Sequence, residues 1–300
     1  MYETILVPTD GSDHARRAAK YAALFARRTN ATVHVLSVVD TRTAGGPFNA
    51  GGLGKAELER LDADATAQIE RTIDSISFTE PPESAVRRGL PREEIVEYAN
   101  THHVDLVCMG TQGRTGVDRY VAGSVTEGVV RRASAPVLTV RATDRTTAPS
   151  AIDEILLPTD GSDSAEVAIR HGLGIAQAFD ARVHVITVVN VGAVGANPEY
   201  APPSSFLREL ESQGEAAIDR IVERAEAADV ETVTNVLTGN PGMEILEYAD
   251  EADVDVITMG TAGRTGMNRF LLGSTAERLI RHAPVPVVAV NARDRQSGTD

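Results

Sequence analysis

One cysteine, Cys108, stands in 300 residues. That excludes an intrachain disulfide and a cysteine-based metal cluster, and it points to the cytoplasm. No apolar run is long enough to cross a bilayer, so no membrane partner is expected. The chain enters Glu3-Thr4-Ile5-Leu6-Val7 without the basic segment and apolar stretch of a secretory signal. Lysine is scarce as well: Lys20 and Lys55 are the only two, and every other Lys/Arg position is Arg. Acidic residues outnumber basic ones 43 to 29, a net charge of −14. Such a balance argues against a nucleic-acid partner. It suits a halophilic setting, where salt screens self-repulsion; an ordinary acidic cytoplasmic protein is the alternative.

What is present is repetition. Met109-Gly110-Thr111-Gln112-Gly113-Arg114-Thr115-Gly116 returns as Met259-Gly260-Thr261-Ala262-Gly263-Arg264-Thr265-Gly266. Gly123-Ser124 returns as Gly273-Ser274, and Pro8 to Asp13 returns unchanged as Pro158 to Asp163. One offset serves all these pairs, so the chain is two copies of one module. The expected domains are 1–141 and 153–292, joined by a polar linker at 142–152 and followed by a polar tail at 293–300.

Within each copy, apolar runs alternate with helical patterns, which predicts parallel strands with crossover helices. In the first copy, strands are expected at Thr4–Val7, Thr32–Val39, Ala85–Arg88, Asp105–Met109 and Pro136–Val140. Helices are expected from Asp13 to Arg28, from Leu58 to Ile76, after Pro91, and from Ser124 to Arg132. The second copy follows the same plan. Residues 41–54 and 191–203, rich in Gly and Pro, break the regularity and are expected to form lid-like connections. Gly52-Leu53-Gly54-Lys55-Ala56 lacks the hydroxyl residue of a phosphate loop.

The pattern Gly110-x2-Gly113-x9-Gly123-Ser124 follows a buried strand and ends at a helix start. Glycine permits positive φ and close approach of a ligand. Helix-start N–H groups attract anions. Ser124 is expected to bond a phosphate oxygen or to cap the helix. Asp10 and Asp160 follow the first strand of each copy, at the edge where doubly wound sheets bind ligands. Each carboxylate suits a ribose hydroxyl, a water on a metal ion, or a cap, although Asp13 is the better cap candidate. Arg114 and Arg264 suit phosphates or surface ion pairs. His34 and His184 are expected to pack and bond locally. Cys108 matches Thr258, which speaks against a nucleophile.

Pro-Thr-Asp after the first strand, the glycine pattern, and Arg-His-Ala-Pro-Val-Pro-Val-Val at residues 281–288 together resemble the universal stress protein family across nearly the whole chain. The resemblance implies an α/β fold with two doubly wound, Rossmann-like parallel five-stranded sheets of strand order 3-2-1-4-5, one per repeat. It implies ATP as the cofactor, with Mg2+ as a candidate companion. The implied site residues are Pro8, Asp10, Val38, Met109, Gly110, Gly113, Arg114, Gly123, Ser124 and Val125 in the first copy. In the second they are Pro158, Asp160, Val188, Met259, Gly260, Gly263, Arg264, Gly273, Ser274 and Thr275. The copies differ at Gln112/Ala262, Asp40/Asn190 and Val125/Thr275, which could make the affinities unequal.

The function expected is a tandem, non-enzymatic stress sensor or regulator that holds an adenine nucleotide in each copy. A slow ATPase or another ATP-using enzyme is the alternative; no Ser-His-Asp or paired-carboxylate constellation is visible. The apolar fifth strands are expected to pair as an intramolecular pseudo-dimer, with a homodimer as the alternative. The charge balance yields a test. Screening shortens to ~3 Å at 1 M salt, so the melting midpoint should rise from dilute buffer to molar KCl. An unchanged or lower midpoint would count against the high-salt reading.

Overall fold

The computed structural model describes residues 2–41, 54–112, 123–146, 150–190, 204–263 and 272–292. The chain divides into two units, Met1–Ser150 and Ala151–Asp300. In the first, the strands are β1 (Thr4–Pro8), β2 (Thr32–Val39), β3 (Glu83–Arg88), β4 (Leu106–Gly110) and β5 (Val137–Val140). The helices are α1 (Asp13–Thr29), α2 (Lys55–Asp74), α3 (Pro91–Thr101) and α4 (Ser124–Arg132). In the second, β6 (Glu154–Thr159), β7 (Arg182–Val189), β8 (Thr232–Thr238), β9 (Val256–Gly260) and β10 (Val287–Val290) alternate with four helices. Those are α5 (Asp163–Phe179), α6 (Ser204–Ala227), α7 (Pro241–Glu251) and α8 (Ser274–His282).

Every strand pair within a unit is parallel, in the order β3-β2-β1-β4-β5 and, equivalently, β8-β7-β6-β9-β10. This is the doubly wound α/β arrangement anticipated from the sequence. The central strands are covered on both faces, so they read as unbroken apolar runs. Ile5, Leu6, Val7, Ile155, Leu156 and Leu157 are fully buried. The helices lie against them through stripes of small residues; α1 buries Ala15, Ala18, Ala19, Ala22 and Ala23.

Register at the amino edge is set by a carboxylate that the sequence reading did not single out. Asp105 Oδ2 accepts from the Glu3 and Thr4 amides at 2.8 and 3.0 Å. Asp255 Oδ2 does the same for the Asp153 and Glu154 amides at the same distances. At the other edge, the end of β4 is fixed by helix packing. A Cβ built on Gly110 would lie 2.6 Å from His14 Cβ and 2.7 Å from the His14 carbonyl carbon. On Gly260 it would lie 2.5 Å from Ser164 Oγ and 2.7 Å from the Ser164 carbonyl oxygen.

His34 and His184 are buried, with Nδ1 bonded to the hydroxyls of Tyr98 at 3.0 Å and Tyr248 at 2.9 Å. That is the packing role expected of them. Downstream of β5, a 3-10 turn at Asp144–Thr146 folds back on α1, and the Arg17 guanidinium donates to Thr146 Oγ1 at 3.2 Å and to the Thr143 carbonyl. The expected lids at 41–54 and 191–203 fall almost wholly outside the described residues, as does the tail beyond Ala292.

Because the atoms facing Gly110 and Gly260 include backbone, one methyl there cannot be absorbed by a rotamer change. Gly110→Ala and Gly260→Ala should each destabilise their unit by about 1–3 kcal/mol, the usual cost of overpacking. Urea denaturation followed by circular dichroism checks this; an unchanged midpoint would show that the helix can retreat freely.

Candidate functional site

The site begins with a tight turn at the carboxyl end of the first strand. Gly11 and Gly161 adopt φ of 76° and 71°, the left-handed region that glycine tolerates best. Their N–H groups donate to Thr9 Oγ1 and Thr159 Oγ1, each at 3.1 Å. Asp10 Oδ1 and Asp160 Oδ1 accept from the Ser12 and Ser162 amides, each at 3.0 Å. One carboxylate oxygen thus holds the turn in each copy.

Three expectations are corrected here. The helix cap is Ser12, not Asp13: Ser12 Oγ accepts from the Ala15 amide at 3.2 Å, and Ser162 Oγ from Ala165 at 3.3 Å. Asp13 is the first helical residue and leaves its carboxylate in the first turn. Ser124 and Ser274 do not cap either. Gly123 and Gly273 occupy the cap positions with no side-chain bond, and both serines are exposed first-turn residues. Finally, none of the described motif glycines has positive φ. Gly110 and Gly260 are needed for close packing of backbone on backbone. Gly123 and Gly273 close a loop, because their amides donate to the carbonyls of Thr111 and Thr261 at 2.5 and 2.8 Å.

In the second unit these pieces surround one cavity of about 500 Å3. Every second-copy candidate among the described residues lines it: Pro158, Asp160, Val188, Met259, Gly260, Gly263, Gly273, Ser274 and Thr275. Arg264 lies outside the described residues. Gly263 sits against the carboxylate, since a Cβ on it would fall 2.9 Å from Asp160 Oδ2. Sequence reasoning missed the far wall, built by Leu210, Gln213 and Gly214 of α6 and by Pro241 and Ile245 of α7. Gly214, a lone glycine in a helical pattern, was the available signal. A Cβ there would lie 2.6 Å from Thr187 Cγ2.

In the first unit, Asp10, Met109, Gly110, Gly123, Ser124 and Val125 occupy the matching positions around the strand ends. Gly113 and Arg114 lie outside the described residues. Val38 lines a cavity of about 410 Å3 whose walls are the end of β2 and the α2 face of Leu61, Asp64, Ala65, Gln68 and Arg71. Cys108 is buried, and burial pushes its thiol far above the range of a nucleophile. Among the described residues, no group of three or more His, Cys, Asp or Glu side chains is placed to hold a metal ion. No helix among them is long and apolar enough to cross a membrane.

The model of the universal stress protein family matches residues 1–141 and again 151–291. The chain belongs to the universal stress protein family. Each copy accounts for one complete match, so this is a tandem member. A universal stress protein of Methanocaldococcus jannaschii is 40% identical over 143 residues, covering 47% of this chain and 83% of that protein. One from Thermus aquaticus is 33% identical over 143 residues, covering 47% of this chain and all of its own length. These relatives have the length of one copy. A solved universal stress protein from Archaeoglobus fulgidus covers 96% of both chains with a TM-score of 0.66 at 22% identity, a likeness of fold.

Family membership leaves a difference between the copies at the α1/β4 contact, where His14 faces Ser164. His14 Nδ1 is buried with no hydrogen-bond partner among the described residues. Burial, and then the Arg17 guanidinium, hold its pKa below the ordinary 6.5. The folded state therefore binds fewer protons than the unfolded state once the pH falls through about 6.5, and stability drops as pH falls. His14→Ser, which copies the second unit, should flatten that loss. Melting midpoints at pH 7.5 and 5.5 check it: an equal drop for parent and variant would sink the assignment.

Proposed function

We propose that this tandem universal stress protein binds ATP in each copy and works as a non-enzymatic stress sensor or regulator. The observation that carries the reading is the second-unit cavity. It joins the Asp160 carboxylate, the glycine loop, the α8 N-terminus and the apolar end of β7 in one space. About 500 Å3 falls within the usual range for small-molecule sites. The chemistry of the walls divides as a nucleotide requires. Val188, Ile186 and Met259 suit a flat apolar base, and the Asp160 carboxylate suits a ribose hydroxyl or a water on an accompanying Mg2+. The α8 amides and the Ser274 hydroxyl suit phosphate oxygens. The first copy repeats the same positions from Pro8 to Val125.

A cytoplasmic, high-salt setting fits the acidic, lysine-poor composition. The apolar edge strands β5 and β10 are the surfaces we assign to pairing, within one chain or between two. The reading is non-enzymatic because the cavity walls are those of a site that holds and orients a ligand, and the sequence carries no Ser-His-Asp or paired-carboxylate constellation. Binding the ground and transition states alike gives no rate.

Titration calorimetry with ATP should give saturable binding, and ATP at 100 times Kd should stabilise a binding unit by about 2.7 kcal/mol. Gly263→Ala, which displaces the Asp160 carboxylate, should weaken binding with little effect on melting. A stoichiometry near zero for the parent would end the ATP reading. Phosphate release at or above roughly 1 s⁻¹, an ordinary if low turnover, would favour an enzyme instead.

A further inference from the structure

Resting on that ATP reading, we infer that the two copies are unequal sites. The second is one cavity from the Asp160 turn to Val188; in the first, the cavity beside Val38 is walled by Gln68, whose side chain occupies part of the space the nucleotide needs. With Ala65 set against Gly214, α2 and α6 match in burial at every position from 61 to 74 except 67 and 68: Ala67 and Gln68 are part-exposed, whereas Ala216 is exposed and Ala217 buried. Ala65, Ile69 and Thr72 are buried, as are Gly214, Ile218 and Ile221. This alignment slips by one residue from the offset that relates the flanking strands. It sets Gln68 against Ala217 and Thr72 against Ile221.

Gln68 reaches across the end of the sheet. Its Oε1 accepts from Ser37 Oγ at 3.3 Å. A Cβ on Gly11 would lie 3.3 Å from Gln68 Cγ, so the side chain also lies against the Asp10–Gly11 turn. The counterpart of Ser37 is Thr187, and the counterpart of Asp10 is Asp160; both line the second-unit cavity. Gln68 therefore spans, in the first unit, two walls that face open space in the second. Its own turn of helix is tied down as well. Thr72 Oγ1 donates to the Gln68 carbonyl at 2.8 Å and lies 2.9 Å from Thr9 Oγ1. Ala217 and Ile221 have no side-chain groups to make such bonds. Admitting a ligand to the first site requires Gln68 to swing out, breaking its bond to a serine that is only 2% exposed. An unmade bond at a buried hydroxyl is costly.

Titration calorimetry of ATP into the full chain, with Gln68→Ala and Ala217→Gln alongside, tests this. The parent should show one strong and one weak site, about tenfold apart or more, a gap of roughly 1.4 kcal/mol. Gly263→Ala should remove the strong class, which identifies it as the second unit. Gln68→Ala should bring the weak site toward the strong one, and Ala217→Gln should weaken the strong site. One change removes atoms and the other adds them, so they would fail to fold for opposite reasons, and melting curves identify such a failure. Two equal sites in the parent would overturn the inequality and leave the ATP reading standing. A well-folded Gln68→Ala chain whose weak site is no tighter, or an Ala217→Gln chain of parental affinity, would overturn the assignment of that inequality to Gln68. No binding at all in the parent would overturn the ATP reading itself.

Discussion

The contact between the first turn of α1 and the last residue of β4, repeated by α5 on β9, governs the rest of each unit. Neither Gly110 nor Gly260 leaves room for a single carbon between helix and strand. That closeness sets how far the Asp10 and Asp160 turns stand from the glycine loops. The backbone amide at Ala262 comes within 3.4 Å of Ser164 Oγ, and Ser12 Oγ within 3.5 Å of the Gln112 carbonyl. A helix held one carbon further away would separate the carboxylate from the loop. The edge would then be an ordinary sheet end, not a concave site.

Around this contact, the local chemistry is economical. The same Asp carboxylate offers one oxygen to the turn and presents the other toward Gly263 in the second unit. The loop after β4 or β9 leaves and returns at one point, closed by an amide-to-carbonyl bond at Thr111 or Thr261. Whatever path the intervening residues take, their two ends are fixed. In the second unit the start of α8 thereby lines the same cavity as the carboxylate.

Much of this architecture was legible in the residues. Strand and helix order followed from period alone, because central parallel strands are apolar throughout and the covering helices carry small-residue stripes. The family resemblance supplied the strand order. What the residues did not disclose has physical reasons. Ser12 and Asp13 are both good caps by type, and only backbone geometry separates them. Glycine at 110 was read as freedom of φ and room for a ligand, whereas the close approach it serves is that of a helix nearly a hundred residues earlier in the chain. The α6 wall of the cavity was missed because Leu210 and Gln213 look like any helix face; their role depends on how that helix docks over β7. Gln68 escaped for a similar reason, since the one-residue slip between α2 and α6 hides its counterpart.

Thr187 packs on Gly214, and the residues at the same places in the first copy, Ser37 and Ala65, border one cavity; the exchange of Thr with Gly for Ser with Ala conserves volume. The methyl that one copy carries on the helix, the other carries on the strand, and the 2.6 Å approach at Gly214 leaves no room for both. Strand and helix are therefore a matched set. A hybrid that joined β7 to α2 would place two methyls in one space, and one that joined β2 to α6 would leave a hole there. Exchange of parts between the copies, by recombination or by design, is confined to whole strand-plus-helix blocks, so two halves of shared origin have become parts that are no longer interchangeable piece by piece.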